Sequence, residues 1–197
     1  MSSFNDGVAI VIGGSGGLGA AICRSLARIG SNVGLTYSAN LNGARDAAAG
    51  VEDAGKRSKV AQLDVRDERA CAATIDFFAQ TFGHIHTVVH AAGPTVAQTH
   101  VSTTEPSAWR SAMDTEANGF FHVASAALPH LRKSKGTLLA LTSAALGRHV
   151  SKDLLSTAPK AAIEAAIRAI AVEEGRFGVR ANSVAVGAFD AGMYRRL

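Results

Sequence analysis

Cysteine is scarce in this 197-residue sequence, which has two cysteines, one tryptophan and two tyrosines. Cys23 and Cys71 lack CxxC spacing and fall within apolar helical patterns, which favours buried thiols in a reducing compartment over disulfides or a metal site. No apolar run approaches the ~18 residues of a membrane span. Residues 1–6 lack a basic stretch followed by a hydrophobic core, so we expect a cytoplasmic protein without a membrane or metal partner.

Charge of one sign is not concentrated in any segment. The 20 basic and 16 acidic residues give a net charge of +4, and the basic residues form only short clusters such as 132–135 and 195–196. Aromatic residues make up 6% of the chain, so little is available for base stacking. We therefore expect no nucleic-acid partner. With 47% hydrophobic residues, the chain is expected to bury one core as a single domain, residues 1–197.

Apolar runs and helical patterns alternate along the chain. Strands are predicted at residues 8–12, 32–37, 59–63, 87–90, 137–142 and 179–186. Helices are predicted at residues 20–29, 41–55, 68–82, 107–131 and 157–177. Pro129 is expected to kink or separate the last turn of the fourth helix. This alternation predicts a doubly wound α/β fold, the Rossmann fold, with six parallel strands in the order 3-2-1-4-5-6 and helices on both faces.

A glycine-rich turn at residues 13–19 joins the first strand to the first helix. Such a turn brings backbone N–H groups and a helix N-terminus together, which suits a pyrophosphate, although tight strand-to-helix packing alone also requires glycine. A second turn, residues 91–94, follows the fourth strand. Ligands of this fold bind at the carboxyl ends of the strands, so we expect the site between these two turns.

Several segments resemble the short-chain dehydrogenase/reductase family. Gly13-x-x-x-Gly17-x-Gly19 is similar to its TGxxxGxG turn, with Ile12 at the usual Thr, and Asp64-Val65 looks like its adenine-binding pair. His90-Ala91-Ala92-Gly93 is similar to its NNAG turn, and residues 180–187 resemble its RxN…PG segment. The resemblance covers residues 7–193. It implies that a dinucleotide is held by Gly13, Ser15, Gly16, Gly17, Leu18, Gly19, Tyr37, Ser38, Asp64, Val65, Ala91, Ala92, Gly93, Lys160 and Gly187.

The catalytic motif of the family is incomplete. Its YxxxK motif falls on residues 156–160, where Lys160 remains and Ser156 replaces the tyrosine, while Ser143 stands at the catalytic serine and Glu116 at the catalytic asparagine. In the family, lysine holds the nicotinamide ribose, serine orients the carbonyl and tyrosine transfers the proton. A serine hydroxyl is a far weaker acid than a phenol, and its side chain is too short to reach the position of the phenol oxygen. Losing a positioned acid costs ~10²–10⁴-fold in rate.

Three interpretations of this loss stay open. Dienoyl-CoA reductases of the same family also carry Ser at this position and recruit an acid from elsewhere, for which Tyr194 is a candidate here. Glu116 or His149 could act through water, although a helix carboxylate paired with a nearby base and a solvated loop residue are the favoured interpretations of the two. The third interpretation is a nucleotide-binding pseudoenzyme that serves as a sensor or assembly subunit. The resemblance favours an oxidoreductase acting on a small carbonyl or an enoyl or acyl thioester, with an atypical proton donor.

The end of the second predicted strand bears on cofactor choice. NAD-preferring relatives have an Asp there, whereas this sequence has Tyr37-Ser38, so NADP(H) is favoured over NAD(H). The basic residue common in the glycine turn of NADP enzymes is absent, because Gly16 holds that position.

The helix predicted at 157–177 is apolar almost all round, which fits the four-helix dimer contact of the family and predicts a homodimer or homotetramer. The family continues past the sixth strand with another helix and a seventh strand. Because this sequence stops at Leu197, we expect that strand to be absent from it.

Overall fold

The protein is built on one six-stranded parallel sheet in the computed structural model, which describes residues 7–187. The strands are β1 (Val8–Ile12), β2 (Asn32–Tyr37), β3 (Ser58–Gln62), β4 (Ile85–His90), β5 (Thr137–Ser143) and β6 (Arg180–Val186). Their order is β3-β2-β1-β4-β5-β6 and every neighbouring pair is parallel. This confirms the predicted fold and strand order.

Helices cover both faces of the sheet. They are α1 (Gly17–Arg28), α2 (Leu41–Glu52), α3 (Glu68–Phe82), α4 (Pro106–Ala112), α5 (Gly119–Ser134) and α6 (Leu154–Glu174). Within the described part of the chain, no helix has the length and apolar character needed to cross a membrane.

The prediction of one long fourth helix at 107–131 is wrong in two respects. A π-helical segment, Met113–Asn118, separates α4 from α5, and the helix continues through Pro129 as far as Ser134. A proline inside a helix costs ~3 kcal/mol through its missing N–H and its ring contacts. The face of α5 that includes Phe120 and Leu131 is fully buried in the core, and this packing offsets the cost.

The start of α6 also differs from the prediction. The helix begins at Leu154 rather than at 157, because Thr157 and the preceding turn bond to the backbone carbonyl of Asp153. Ser156 therefore lies in the first turn of α6, and Lys160 follows one turn later on the same side of the helix. The strand before this region runs one residue further than predicted, so that Ser143 is the last residue of β5.

Two hydrophobic clusters form the core, one on each face of the sheet. The larger packs α3, α5 and α6 against the sheet, and the smaller packs α1 and α2 against its other face. All five residues of β1 are fully buried, which is why the strand reads as an unbroken apolar run. Cys23 lies in the smaller cluster and Cys71 in the larger, and both are free buried thiols as the sequence predicts.

Phe78 of α3 is fully buried beside Gly34 of β2, where a Cβ atom would lie 2.6 Å from the phenyl ring. We expect Phe78→Ala to lower the free energy of unfolding by ~3–5 kcal/mol, since the cavity cannot close against the rigid strand. Its neighbour Phe77 is 43% exposed, so Phe77→Ala serves as the matched control with an expected loss below ~1 kcal/mol. Urea unfolding followed by circular dichroism measures both, and equal losses would contradict this description of the core.

Candidate active site

A cleft of about 760 Å³ opens at the carboxyl ends of the strands, where the sequence predicts the site. Every residue that the family resemblance assigns to cofactor binding lines it. The residues predicted to bind the dinucleotide that line it are Gly13, Ser15, Gly16, Gly17, Leu18, Gly19, Tyr37, Ser38, Asp64, Val65, Ala91, Ala92, Gly93 and Gly187. Ser143, Ser156 and Lys160 line the same cleft. The fold thus brings together residues that are far apart in the sequence, while their roles stay predictions.

The glycine turn allows close backbone approach beneath the cleft. Gly13 has φ of +82°, and a Cβ atom there would lie 2.8 Å from the backbone of Ala92 in the turn after β4. A Cβ on Gly19 would lie 2.2 Å from the Gly13 carbonyl oxygen. Helix α1 begins at Gly17 without a side-chain cap on its first N–H groups. A glycine-lined turn with an uncapped helix N-terminus fits a pyrophosphate.

The part of the cleft that the resemblance assigns to adenine binding contains an ion pair that the sequence analysis did not anticipate. The Asp64 carboxylate accepts hydrogen bonds from the Arg66 side chain, with Nη2 2.5 Å from Oδ2, and from the Arg66 backbone N–H. These hydrogen bonds hold the pKa of Asp64 below its usual range. In the sequence, the only sign of this ion pair is the close spacing of Asp64 and Arg66 after the third strand. Arg66 thus offsets the charge of the carboxylate that the resemblance assigns to adenine binding.

Ser143 and Ser156 lie at the catalytic end of the cleft on different elements. The Ser143 hydroxyl accepts a hydrogen bond from the Ala145 backbone N–H at 3.1 Å, which fixes its side chain at the end of β5. Lys160 Nζ lies 3.5 Å from Ser156 Oγ and 3.4 Å from the Ser156 carbonyl oxygen. The residues that the resemblance assigns to the family serine and lysine therefore both lie at this end, together with Ser156, which the resemblance assigns to the position of the family tyrosine.

Glu116 is the main partner of Lys160. Its Oε1 lies 2.5 Å from Lys160 Nζ, and its side chain is only 3% exposed. The π-helical segment places Glu116 in the cleft lining, whereas Asn118 bonds to Asp114 on the exposed side. That Glu116, and not Asn118, occupies the position of the family asparagine stays a prediction. The ion pair with Lys160 confirms that Glu116 is a helix carboxylate paired with a nearby base.

Burial acts on the titratable groups around this pair. Desolvation raises the pKa of the Glu116 carboxyl, and the charge of Lys160 opposes that rise. His90, at the end of β4, is fully buried with its ring edge against Phe120, and burial lowers its pKa to about 4. Among residues 7–187, neither ring nitrogen of His90 has a hydrogen-bond partner. His90 is therefore a neutral ring behind the cleft at neutral pH.

The other candidate proton donors occupy different positions. His149 is exposed in the loop before α6 and does not line the cleft. Tyr194 lies outside the described residues, and Tyr37 lines the cleft at the end of β2. Of the three acids considered from the sequence, Glu116 is thus the one that the described structure places at the catalytic end.

Comparison with known proteins identifies the class. Residues 13–197 match the family model described as Enoyl-(Acyl carrier protein) reductase. An L-fucose dehydrogenase of Rattus norvegicus is 30% identical over 195 residues, covering 95% of this chain and 67% of that protein. A cis-4-hydroxycyclohexanecarboxylate dehydrogenase of Sinomonas cyclohexanicum is 32% identical over 189 residues, covering 95% and 75%.

Solved structures agree with these sequence matches. Levodione reductase superposes with a TM-score of 0.93 at 25% identity, covering 98% of this chain and 76% of that one. NAD+-bound xylitol dehydrogenase gives a TM-score of 0.93 at 25% identity, covering 98% and 75%. The chain belongs to the short-chain dehydrogenase/reductase family, a family of oxidoreductases with a nicotinamide-binding Rossmann fold.

The buried carboxyl of Glu116 should make stability depend on pH. Because its pKa is raised in the folded state, the folded protein keeps this proton to a higher pH than the unfolded chain does, so stability is lost as pH rises above ~4.3. Glu116→Gln cannot ionise. We therefore expect the stability of Glu116→Gln relative to the parent to increase between pH 4 and pH 8. The increase should be ~1.4 kcal/mol for each unit by which folding raises the pKa of Glu116.

Glu174 provides a control of opposite sign. Its carboxylate accepts hydrogen bonds from Arg132, which hold its pKa below the usual range, so it contributes stability at neutral pH that is lost on acidification. Glu174→Gln should consequently lose stability relative to the parent as pH rises from 3 to 6. Urea unfolding at each pH measures both differences, and parallel pH trends for the two variants would contradict the assignment.

Proposed function

We propose that this protein is an NADP(H)-dependent oxidoreductase that acts on a small carbonyl compound or an enoyl or acyl thioester with an atypical proton donor. The observation that carries the proposal is that Ser143 and Lys160 line one cleft with the uncapped glycine turn. A bound nicotinamide would supply or accept a hydride at this end of the cleft. The dehydrogenases and reductases among the relatives support the same reaction class.

Each side chain of the catalytic end has a proposed role. Ser143, fixed by its bond to Ala145, would donate a hydrogen bond to the substrate carbonyl and orient it. Lys160 would hold the ribose hydroxyls of the nicotinamide half, exchanging its long contacts to Ser156 for them. The glycine turn and the first N–H groups of α1 would hold the pyrophosphate.

A second candidate function is a nucleotide-binding pseudoenzyme. The ion pair between Lys160 and Glu116 favours it, because a lysine already held by a buried carboxylate has less charge available for the ribose or for activating an acid. The absence of a tyrosine four residues before Lys160 also favours the pseudoenzyme. Titration with NADPH and NADH, followed by a ketone and acyl-thioester screen, separates the two functions: binding without turnover supports the pseudoenzyme.

The apolar helices α5 and α6 support a homodimer or homotetramer. Helix α6 buries one face against the sheet, while Ala161, Ala165 and Val172 are exposed, and Phe121 of α5 is 60% exposed. An apolar surface shared by two helices can be covered by the same surface of a second copy. We propose that two copies pair through these helices.

Light scattering should therefore give a mass of two or four chains. Ala165→Glu places a charge in the middle of the exposed face of α6 and should shift the protein towards monomer. Ala49→Glu, an equally exposed alanine on α2, is the matched control and should leave the mass unchanged. A monomeric parent, or the same mass for both variants, would speak against pairing through α6.

Preference for NADP(H) over NAD(H) is proposed from the end of β2. Ser38 is exposed there and lines the cleft. Asp64, which follows the neighbouring strand β3, forms an ion pair with Arg66. No carboxylate at residue 38 therefore repels a 2′-phosphate.

Calorimetry should give NADPH the lower dissociation constant. Ser38→Asp should weaken NADPH binding at least ~10-fold, equivalent to ~1.4 kcal/mol of charge repulsion, with NADH affected less. Ser38→Asn has a similar shape without the charge and should bind NADPH nearly as the parent does. Tighter binding of NADH by the parent would overturn the preference.

A further inference from the structure

Lys160 brings an ammonium group to the catalytic end of the cleft. Lys160 Nζ meets Glu116 Oε1 at 2.5 Å, the Ser156 carbonyl oxygen at 3.4 Å and Ser156 Oγ at 3.5 Å. An ammonium group has three hydrogens, and these three acceptors match them. The contact with Glu116 is short and the two with Ser156 are long, so Glu116 holds the group in place and the Ser156 side is the one that can be exchanged.

The small side chain at position 156 leaves this ammonium accessible from the cleft. Ser156 and Lys160 both line the cleft, and the Lys160 side chain is 18% exposed. Glu116 is only 3% exposed and packs against the backbone of Gly93, where a Cβ atom would lie 3.2 Å from its Oε1. A substrate in the cleft therefore meets Lys160 beside Ser156, with the largely buried Glu116 in the cleft lining next to Gly93.

Among the groups at this end that carry a proton are the Ser143 and Ser156 hydroxyls and the Lys160 ammonium group. Both hydroxyls are very weak acids, and Glu116, which also lines the cleft, is engaged as a carboxylate with Lys160. An ammonium group, by contrast, ionises in the same range as a phenol, since the two side-chain types have reference pKa values of ~10. Lysine thus matches the chemistry of the missing tyrosine, and the serine leaves it the room to act.

Resting on the proposed function, we propose that Lys160 is the proton donor of this site and that Glu116 is the residue that positions it. When bound, a reduced nicotinamide would supply a hydride to the carbonyl carbon, and the electron pair of the C–O π bond would move to oxygen. The oxygen then takes a proton from Lys160 Nζ, so that one N–H bond breaks and one O–H bond forms. The neutral amine is protonated again by cleft water, while Glu116 stays a carboxylate throughout.

The positioning role can be tested without cofactor or substrate. Acetylation of Lys160 by acetic anhydride at pH 8, followed by mass spectrometry, reports how firmly the ammonium is held, with exposed Lys59 as the internal reference. Glu116→Gln removes the opposite charge and should speed acetylation of Lys160 by on the order of 10-fold, whereas Glu116→Asp should stay near the parent. An unchanged rate in Glu116→Gln would overturn the positioning role.

The donor role is tested with NADPH and diacetyl as probes. Lys160→Arg keeps the positive charge but not a proton that can be released at neutral pH, so the reduction rate at saturating NADPH should fall by at least ~10², which exceeds any change in the NADPH dissociation constant measured by calorimetry. The matched control is Lys59→Arg on the surface, which should reduce diacetyl as the parent does. Ser156→Ala should lower the rate less than Lys160→Arg does.

The outcomes separate the donor assignment from the proposed function. If Lys160→Arg keeps the parent rate, or Ser156→Ala loses more activity than Lys160→Arg, the proton comes from another group and the donor assignment is overturned alone. If the parent binds NADPH but reduces neither diacetyl nor any member of the ketone and acyl-thioester panel, the donor assignment and the proposed function both fall. If the parent reduces diacetyl and Lys160→Arg loses more of that activity than Ser156→Ala and Lys59→Arg do, the donor assignment and the proposed function are both supported.

Discussion

The ion pair between Glu116 and Lys160 is the contact on which the catalytic end depends. A carboxylate that is 3% exposed needs a partner, and removing one member of such a buried pair typically costs ~3–5 kcal/mol. The pair joins the π-helical segment before α5 to the first turns of α6. It therefore fixes the position of Ser156 relative to the turn after β4, where Glu116 packs against Gly93.

The parallel sheet supplies the frame for that pair. Since every crossover returns over a face, the carboxyl ends of all strands point to one edge, and the turns after β1 and β4 meet there. Close contact between these turns is possible because Gly13 lacks a side chain where Ala92 approaches. The cleft is thus a consequence of sheet topology and two glycine-containing turns, and the charged pair occupies only one end of it.

The site combines residues that the family resemblance predicts with departures from the family motifs. The resemblance assigns Ser143 to the carbonyl-orienting hydroxyl and Lys160 to the ribose-binding cation, and both line the cleft. It also assigns Glu116 to the position of the asparagine and Ser156 to that of the tyrosine. On that assignment the two departures are physically linked, because a carboxylate next to lysine offsets the positive charge that would favour ionisation of a phenol.

The sequence by itself determined the strand order, the position of the cleft and the residues that line it. Unbroken apolar runs such as 8–12, alternating with helical patterns, permit few arrangements other than a doubly wound parallel sheet, and ordered motifs locate the site within it. Helix boundaries were less accessible: local propensity gave no sign of the π-helical segment or of the continuation of α5 through Pro129, both of which depend on how that helix packs.

Only the tertiary structure decided which groups are paired. Glu116 and Lys160 are 44 positions apart, and nothing in their local sequences states that a buried carboxylate meets that ammonium rather than another base. The same holds for the degree of burial, which raises the pKa of Glu116 and leaves Lys160 facing the cleft. Pairing and desolvation depend on distances and on the surrounding core, and these exist only after the helices have packed on the sheet.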